Sequence, residues 1–260
     1  MWPDGFGSAA TFTFDFDAEE PLIADDPGMA DQPGALSQGR YGAKVAVPLV
    51  LDLLEQHGIR ATFFIPARNA ERYPERVRQI ADGGHEIAHH GYTHTSPTTL
   101  TREQEEEELT KGLSILRAFS PDVVGYRSPA WDFSANTLEL LEKHGFRYSS
   151  NFMDDLWPYR HEGTSIVELP VQWTLADSAH WWFDGSSWTK TIATVSAVKE
   201  IWMGEYLGIR KLGGCTVFTM HPQVIGRPYR LAFLDELIGV VKEHKDVWIA
   251  TCGEIAARVP

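Results

Sequence analysis

Six side chains in this sequence have the types and spacing for hydrolytic chemistry at a divalent cation. The run TFTFDFDAEE, residues 11–20, begins as an apolar strand and ends in acids. Side chains alternate along a strand, so Thr13, Asp15 and Asp17 share one side while Phe14 and Phe16 take the other. Two carboxylates on one face can flank a single water or a single cation. The segment GHEIAHHGYTH, residues 84–94, holds two HxxxH pairs, His85/His89 and His90/His94. With 85–89 extended, the first pair is about 13 Å apart at ~3.3 Å per residue, too far to share an ion. The second pair crosses Gly91, where the chain can turn, so His90 and His94 are the better chelating pair. Arg127 follows the expected strand DVVGY, and His221 follows the expected strand TVFTM.

These residues meet only if a sheet gathers their strand ends, and strand and helix signals do alternate along the chain. AVPLVLDLLEQHG reads as a helix stopped by Gly58, followed by a strand at 61–65. Pro74 fits the first turn of the next helix, Val77, Ile80 and Ala81 give it an apolar face, and Gly83 and Gly84 end it. HEIAHH is a third strand. Thr101 and Gln104 form a capping box for a helix carrying Leu109, Leu113 and Leu116, whose EQEEEE run reads as its solvated face. Further strands are expected at 166–169, 215–220 and 247–251, and helices at 190–211 and 228–243. LLEQHGIR (53–60) is echoed by LLEKHGFR (140–147), one helix-to-strand unit used twice. Such alternation predicts one α/β domain over 1–260, its parallel sheet either open or closed into a barrel. Strand C-terminal ends then gather on one side, delivering Asp15, Asp17, His90, His94, Arg127 and His221 to one face. Residues 18–42 are the longest stretch without periodicity and read as a rim loop beside that face.

Composition removes other classes. The 260 residues carry a formal charge of −13 with no compensating basic run, which argues against nucleic-acid or anionic-membrane partners. No apolar run approaches the ~20 residues of a membrane span, and the first ten residues do not read as a signal peptide, so a cytoplasmic location is expected. No glycine-rich phosphate loop follows any strand. Cys215 and Cys252 are expected as buried free thiols. His57, His144 and His244 fall at helix C-termini, where the dipole and the free carbonyls account for them. His161 and His180 lie in expected loops with no partner pattern.

The motifs TFDFD (13–17), HGYTH (90–94), RSP (127–129) and FTMHP (218–222) occur in the order seen in the polysaccharide deacetylase, or NodB-homology, family (carbohydrate esterase family 4), which the chain resembles over nearly its whole length. DFDAEE, AHHGYTH, SPAWDFS and MHPxxxGRP are similar to its peptidoglycan-deacetylase-like and allantoinase-like branch. The resemblance implies a distorted (β/α) barrel with fewer than eight complete units and mainly parallel strands. It also implies metal ligation by Asp17, His90 and His94, with Asp15 as general base, Arg127 orienting it and His221 as general acid. The acid that holds the His221 ring is expected around SSNFMDD, at Asp154 or else Asp155. Two imidazoles and one carboxylate suit a divalent metal, zinc by preference, with cobalt, nickel or manganese able to substitute.

The implied activity is hydrolysis of a non-peptide C–N bond, most specifically deacetylation of an N-acetylated sugar or peptidoglycan-like substrate. A cytosolic small-molecule amidase or cyclic imide hydrolase, and a non-catalytic glycan-binding domain, are the rivals. Of Trp131, Trp157, Trp173, Trp181, Trp182 and Trp188, Trp131 beside the RSP motif is the best pocket candidate. Family analogy implies a homo-oligomer acting on a small-molecule or glycan substrate.

Overall fold

The computed structural model describes residues 1–183 and 190–260. Its strands are β1 (Ser8–Asp15), β2 (Thr62–Ile65), β3 (Glu86–His89), β4 (Gly125–Tyr126), β5 (Tyr148–Ser149), β6 (Tyr159–Arg160), β7 (Val167–Glu168), β8 (Cys215–Met220) and β9 (Val247–Ile249). The helices are α1 (Glu20–Asp25), α2 (Pro33–Tyr41), α3 (Val47–His57), α4 (Ala67–Arg72), α5 (Pro74–Asp82), α6 (Arg102–Leu116), α7 (Thr137–Lys143), α8 (Asp177–Trp181), α9 (Val195–Leu212), α10 (Pro222–Ile225), α11 (Pro228–Glu243) and α12 (Cys252–Ala256).

The strands form one sheet in the order β6-β7-β5-β4-β3-β2-β1-β8. All its pairings are parallel except that of β6 with β7. One edge of β1 carries β9 along Ser8–Ala10 and β2 along Thr13–Asp15, while its other edge pairs with β8 from Ala9 to Phe14. The sheet curls into a half-barrel wrapped by helices, the expected distorted (β/α) architecture.

The alternation read in β1 decides which layer each residue joins. Phe12, Phe14 and Phe16 pack outward with Val47, Val50 and Leu54 of α3 and Trp202 and Tyr206 of α9. Phe12 stacks on Phe218, and Phe14 on Phe63. Ala9, Phe64, Ala88, Tyr148 and Val217 fill the interior. Each fully buried phenylalanine contributes about 1.5–3 kcal/mol, so β1 is anchored chiefly from outside and its inward face is left to polar groups.

Several expected boundaries hold and some move. Gly58 ends α3 in the left-handed conformation, and Thr101 with Gln104 makes the capping box of α6. The strands expected at 122–126 and 166–169 shrink to two residues each, and α9 begins only after its Thr194 cap. The EQEEEE run is not wholly solvated: Glu105 is buried and accepts hydrogen bonds from Ser134 and Thr137. Residues 18–42 are not a loop. They form α1, a 3-10 turn and α2, which continue into a π-helical turn at Gly42–Ala46. Glu19 and Glu20 hold this rim in place from below. Both are buried; Glu19 accepts from the Tyr73 hydroxyl and Glu20 pairs with Arg68 and Arg72.

Candidate active site

Asp15 is the last residue of β1, and Asp17 lies two residues beyond it. Ala18 then turns the chain with φ of 48°. Asn69 of α4 locks the turn by donating to the carbonyls of both Phe16 and Asp17. α2 presses on the same turn so closely that a Cβ on Gly39 would lie 2.4 Å from the Ala18 carbonyl oxygen. His90 leaves the end of β3, and Gly91, with φ of 75°, reverses the chain so that His94 returns towards it. Glu108 of α6 pins this loop, accepting from the Tyr92 and Thr93 amides and from the Thr93 hydroxyl.

The result is a compact triad. Asp17, His90 and His94 each offer one ligand atom, all within 4.8 Å of one another. The His90 Nδ1–H donates to the Arg127 carbonyl at 2.7 Å, which leaves its Nε2 lone pair facing Asp17 Oδ1 at 3.5 Å. His94 Nε2 lies 3.8 Å from Asp17 Oδ2. The donor set fits a divalent cation. Asp17 Oδ1 is buried and has no hydrogen-bond partner among the described residues. Burial, opposed by His90 and His221, pushes the Asp17 carboxyl up to about 6, as expected of an acid short of counter-charge. Burial and the neighbouring His90 and His221 hold His94 well below its ordinary value, the neutral state a ligand needs.

Arg127 is fully buried and spends its donors around Asp15. Nη1 bonds Asp15 Oδ1 at 2.7 Å and Thr13 Oγ1 at 2.9 Å, while Nε and Nη2 bond the Ser150 carbonyl and hydroxyl. Its guanidinium lies 4.1 Å over the Phe64 ring. Burial alone would raise the Asp15 carboxyl, but Arg127, with His90 and His221, outweighs it and holds it below the usual range. Asp15 is therefore an ionised, fixed base candidate.

His221 follows β8, with Nε2 3.9 Å from Asp15 Oδ2 and 3.6 Å from Asp17 Oδ2. Its ring is held by Asp177, the first residue of α8. Oδ1 meets His221 Nδ1 at 2.6 Å, and Oδ2 accepts the His221 backbone N–H at 2.9 Å. Burial opposes the imidazolium, but Asp177 chiefly, then Asp17 and Asp15, raise it to about 9. This corrects the expected acid. Asp154 is exposed and accepts from the Tyr159 hydroxyl, and Asp155 caps the Leu156 and Trp157 amides. Asp177 has no local motif in the sequence. It reaches His221 because Ala176 bridges to Thr219 of β8.

The family is decided by comparison over almost the whole chain. A peptidoglycan deacetylase of Helicobacter pylori is 30% identical over 252 residues, covering 85% of this chain and 86% of that protein. The polysaccharide deacetylase family model matches residues 40–149. The chain belongs to the polysaccharide deacetylase family. It is accordingly a hydrolase acting on C–N amide bonds. The structure of a Mycobacterium smegmatis protein assigned to the polysaccharide deacetylases is 42% identical, covers 100% of this chain and 92% of its own, and superposes with a TM-score of 0.96. The allantoinase Puue shares the fold at a TM-score of 0.83 and 22% identity, over 98% of this chain and 91% of its own.

The deacetylase-family site opens into a cavity of about 230 Å³ bounded by Pro21 and Asp25 of the rim and by Ala130, Trp131, Trp173, Trp182 and Gln223. Trp131 lines it and stacks on Trp173 at 4.4 Å between ring centroids. Ala130 and Trp131 both have positive φ, 61° and 57°, so this wall is a strained turn. Trp181 belongs to the core, and Trp157 lies outside the cavity lining, its indole bonding the Gly213 carbonyl. Trp188 lies outside the described residues.

The discounted histidines have their own partners: His57 with Asp235, His144 with Glu106 and His244 with Tyr206. His161 bonds Glu168, and His180, in α8 rather than a loop, meets the Thr174 carbonyl. His89 is buried against α6 with its ring held near 3 by burial, which separates it from the triad.

Proposed function

We propose that this chain, acting as a single catalytic domain over 1–260, removes the acetyl group of an N-acetylated sugar or peptidoglycan-like substrate with the help of a divalent cation, zinc by preference. The observation that carries the reading is the convergence of the Asp17/His90/His94 triad, the Arg127-held Asp15 and the Asp177-held His221 on one cavity. The chemistry a cation supplies there is Lewis acidity, which polarises an amide carbonyl and makes water a stronger acid. Asp15, ionised and unable to turn away from Arg127, accepts the proton of the attacking water. His221, protonated at neutral pH, donates a proton to the amine nitrogen as the C–N bond breaks. Water is thereby divided between acetate and the free amine. Thr13 and Ser150 take three further N–H groups of Arg127, so its charge stays directed at Asp15.

The names of the H. pylori relative and of a Bacillus subtilis peptidoglycan-N-acetylmuramic acid deacetylase, 36% identical over 112 residues, support a cell-wall glycan substrate. The small cavity, below the ~300 Å³ of common ligand sites, favours a second reading in which a compact amide or cyclic imide is cleaved. Two buried free thiols, Cys215 and Cys252, support a reducing, cytoplasmic setting, and no helix among the described residues is long and apolar enough to cross a membrane. Ile201, Leu207 and Leu212, exposed on α9, support a homo-oligomer.

The test is metal analysis of the purified protein, followed by acetate release from N-acetylglucosamine oligomers and peptidoglycan fragments, with cyclic imides in parallel, each with and without chelator. Asp17→Ala, His90→Ala and His94→Ala should each lose the metal, whereas Asp15→Asn should keep it and lose turnover. Undiminished hydrolysis in chelator, or full metal occupancy in the ligand variants, refutes the assignment.

A further inference from the structure

Gln223 is the buried carboxamide of the cavity wall. It is 2% exposed, and among the described residues neither its Oε1 nor its Nε2 has a hydrogen-bond partner. Buried amides are nearly always paired, so an amide with both ends unpaired calls for an explanation. Gln223 lies two residues past His221, on α10, and lines the same cavity as Asp17, His90, His94 and His221.

The packing behind it is close. The π-helical turn at Gly42–Ala46 lies directly against α10. A Cβ on Gly42 would come within 3.2 Å of Gln223 Cβ, N and Oε1, and one on Gly226 would come within 2.3 Å of the Ala46 Cβ. Glycine is required at position 226 for this approach, and at position 42 it spares the contact a shift of a few tenths of an ångström. Single π-turns inside helices are rare and concentrate at functional sites. Here the extra residue seats a bare stretch of backbone against Gln223.

We propose that Gln223 is a specificity residue, whose amide donates and accepts one hydrogen bond each with a neutral hydroxylated group beside the scissile acetamide, as on a sugar ring. A carboxamide suits such a group because a hydroxyl also both donates and accepts, and no charge has to be neutralised. The inference rests on the amide-hydrolase reading of the site.

The test is Gln223→Met, which keeps length and shape but removes the amide. Metal-loaded protein is assayed on N-acetylglucosamine oligomers and on N-acetylcyclohexylamine, which carries the acetamide without ring hydroxyls. The expected result is a fall of about 10- to 100-fold in kcat/KM on the sugar and a much smaller change on the analogue. The melting temperature of the metal-free variant should equal or exceed that of the parent, because an unsatisfied polar pair has left the interior. Unchanged kcat/KM on the sugar, an equal loss on both substrates, or a lowered melting temperature overturns the proposal. Gln223→Glu, which keeps the acceptor and loses the donor, is assayed beside it and should show the same loss confined to the sugar. If the parent protein cleaves a different amide, the sugar reading fails on its own. The same variant is then compared on that amide and on its analogue without hydrogen-bonding groups. If the parent cleaves none of these amides, the melting temperature alone decides.

Discussion

Replacing Asp177 by Asn separates the two things this residue does for His221, charging its ring and orienting it. Asparagine keeps the size and one acceptor oxygen but removes the negative charge 2.6 Å from Nδ1. In the folded protein His221 is raised to about 9 from an ordinary 6.5, an interval worth about 3 kcal/mol. The sign follows from its role. A general acid works only while protonated, so activity is present below its pKa and lost as pH rises through it. If the whole elevation vanished, the protonated fraction would fall about 30-fold at pH 8 and less than twofold at pH 6. Asp17 and Asp15 also support the imidazolium while burial opposes it, so about 30-fold sets the scale of this term. A bound cation lowers the limb in both proteins, but the displacement keeps its direction. The assay is the pH profile of kcat/KM for acetate release, parent against variant, from pH 5.5 to 9.5. An alkaline limb displaced to lower pH, with near-parental rates in acid, is the expected outcome. An equal loss at every pH would refute the electrostatic account and leave Asp177 with orientation alone. An unchanged profile would remove it from the site.

Two further outcomes concern α6. Glu108→Ala releases three hydrogen bonds from the loop carrying His94. Metal affinity should fall about 10- to 100-fold by titration calorimetry, and parental affinity would show that the loop holds itself. Gly112→Ala ordinarily stabilises a helix interior by about 1 kcal/mol. Here the new Cβ would lie 2.1 Å from the Nε2 of buried His89, so a loss of about 1–3 kcal/mol and a lower melting temperature are expected, and a gain would contradict the packing.

How much of this was readable in the sequence depends on how far each signal reaches along the chain. The alternation of Phe14, Asp15, Phe16 and Asp17, and the turn Gly91 allows between His90 and His94, are local, and the structure places all of them as the pattern implies. The capping box of α6 is equally local. Asp177 meets His221 only through a bridge between segments 43 residues apart, Ala176 and Thr219, and no spacing rule encodes that. The rim at 18–42 was unreadable for a different reason. Its helices are short, carry proline and glycine, and depend on the buried contacts of Glu19 and Glu20 with Tyr73, Arg68 and Arg72. In EQEEEE the acids look alike. Helical rotation alone turns Glu105 to the core and Glu108 to the histidine loop, leaving Glu103 and Glu107 in solvent.

The placement of β1 between β2 and β8 has a consequence for the order of events during synthesis. Its first neighbour in the sheet, β2, begins at Thr62, but Ala9 waits for Cys215, 206 positions later. At ribosomal rates of roughly 5–20 residues per second, that edge emerges about 10–40 seconds before its partner. Once His94 has been added, the nascent chain contains all three ligand residues but not His221, and it presents an apolar strand with open backbone groups. The triad can thus be complete, and able to take up a cation, while the strand that brings the general acid is still being translated.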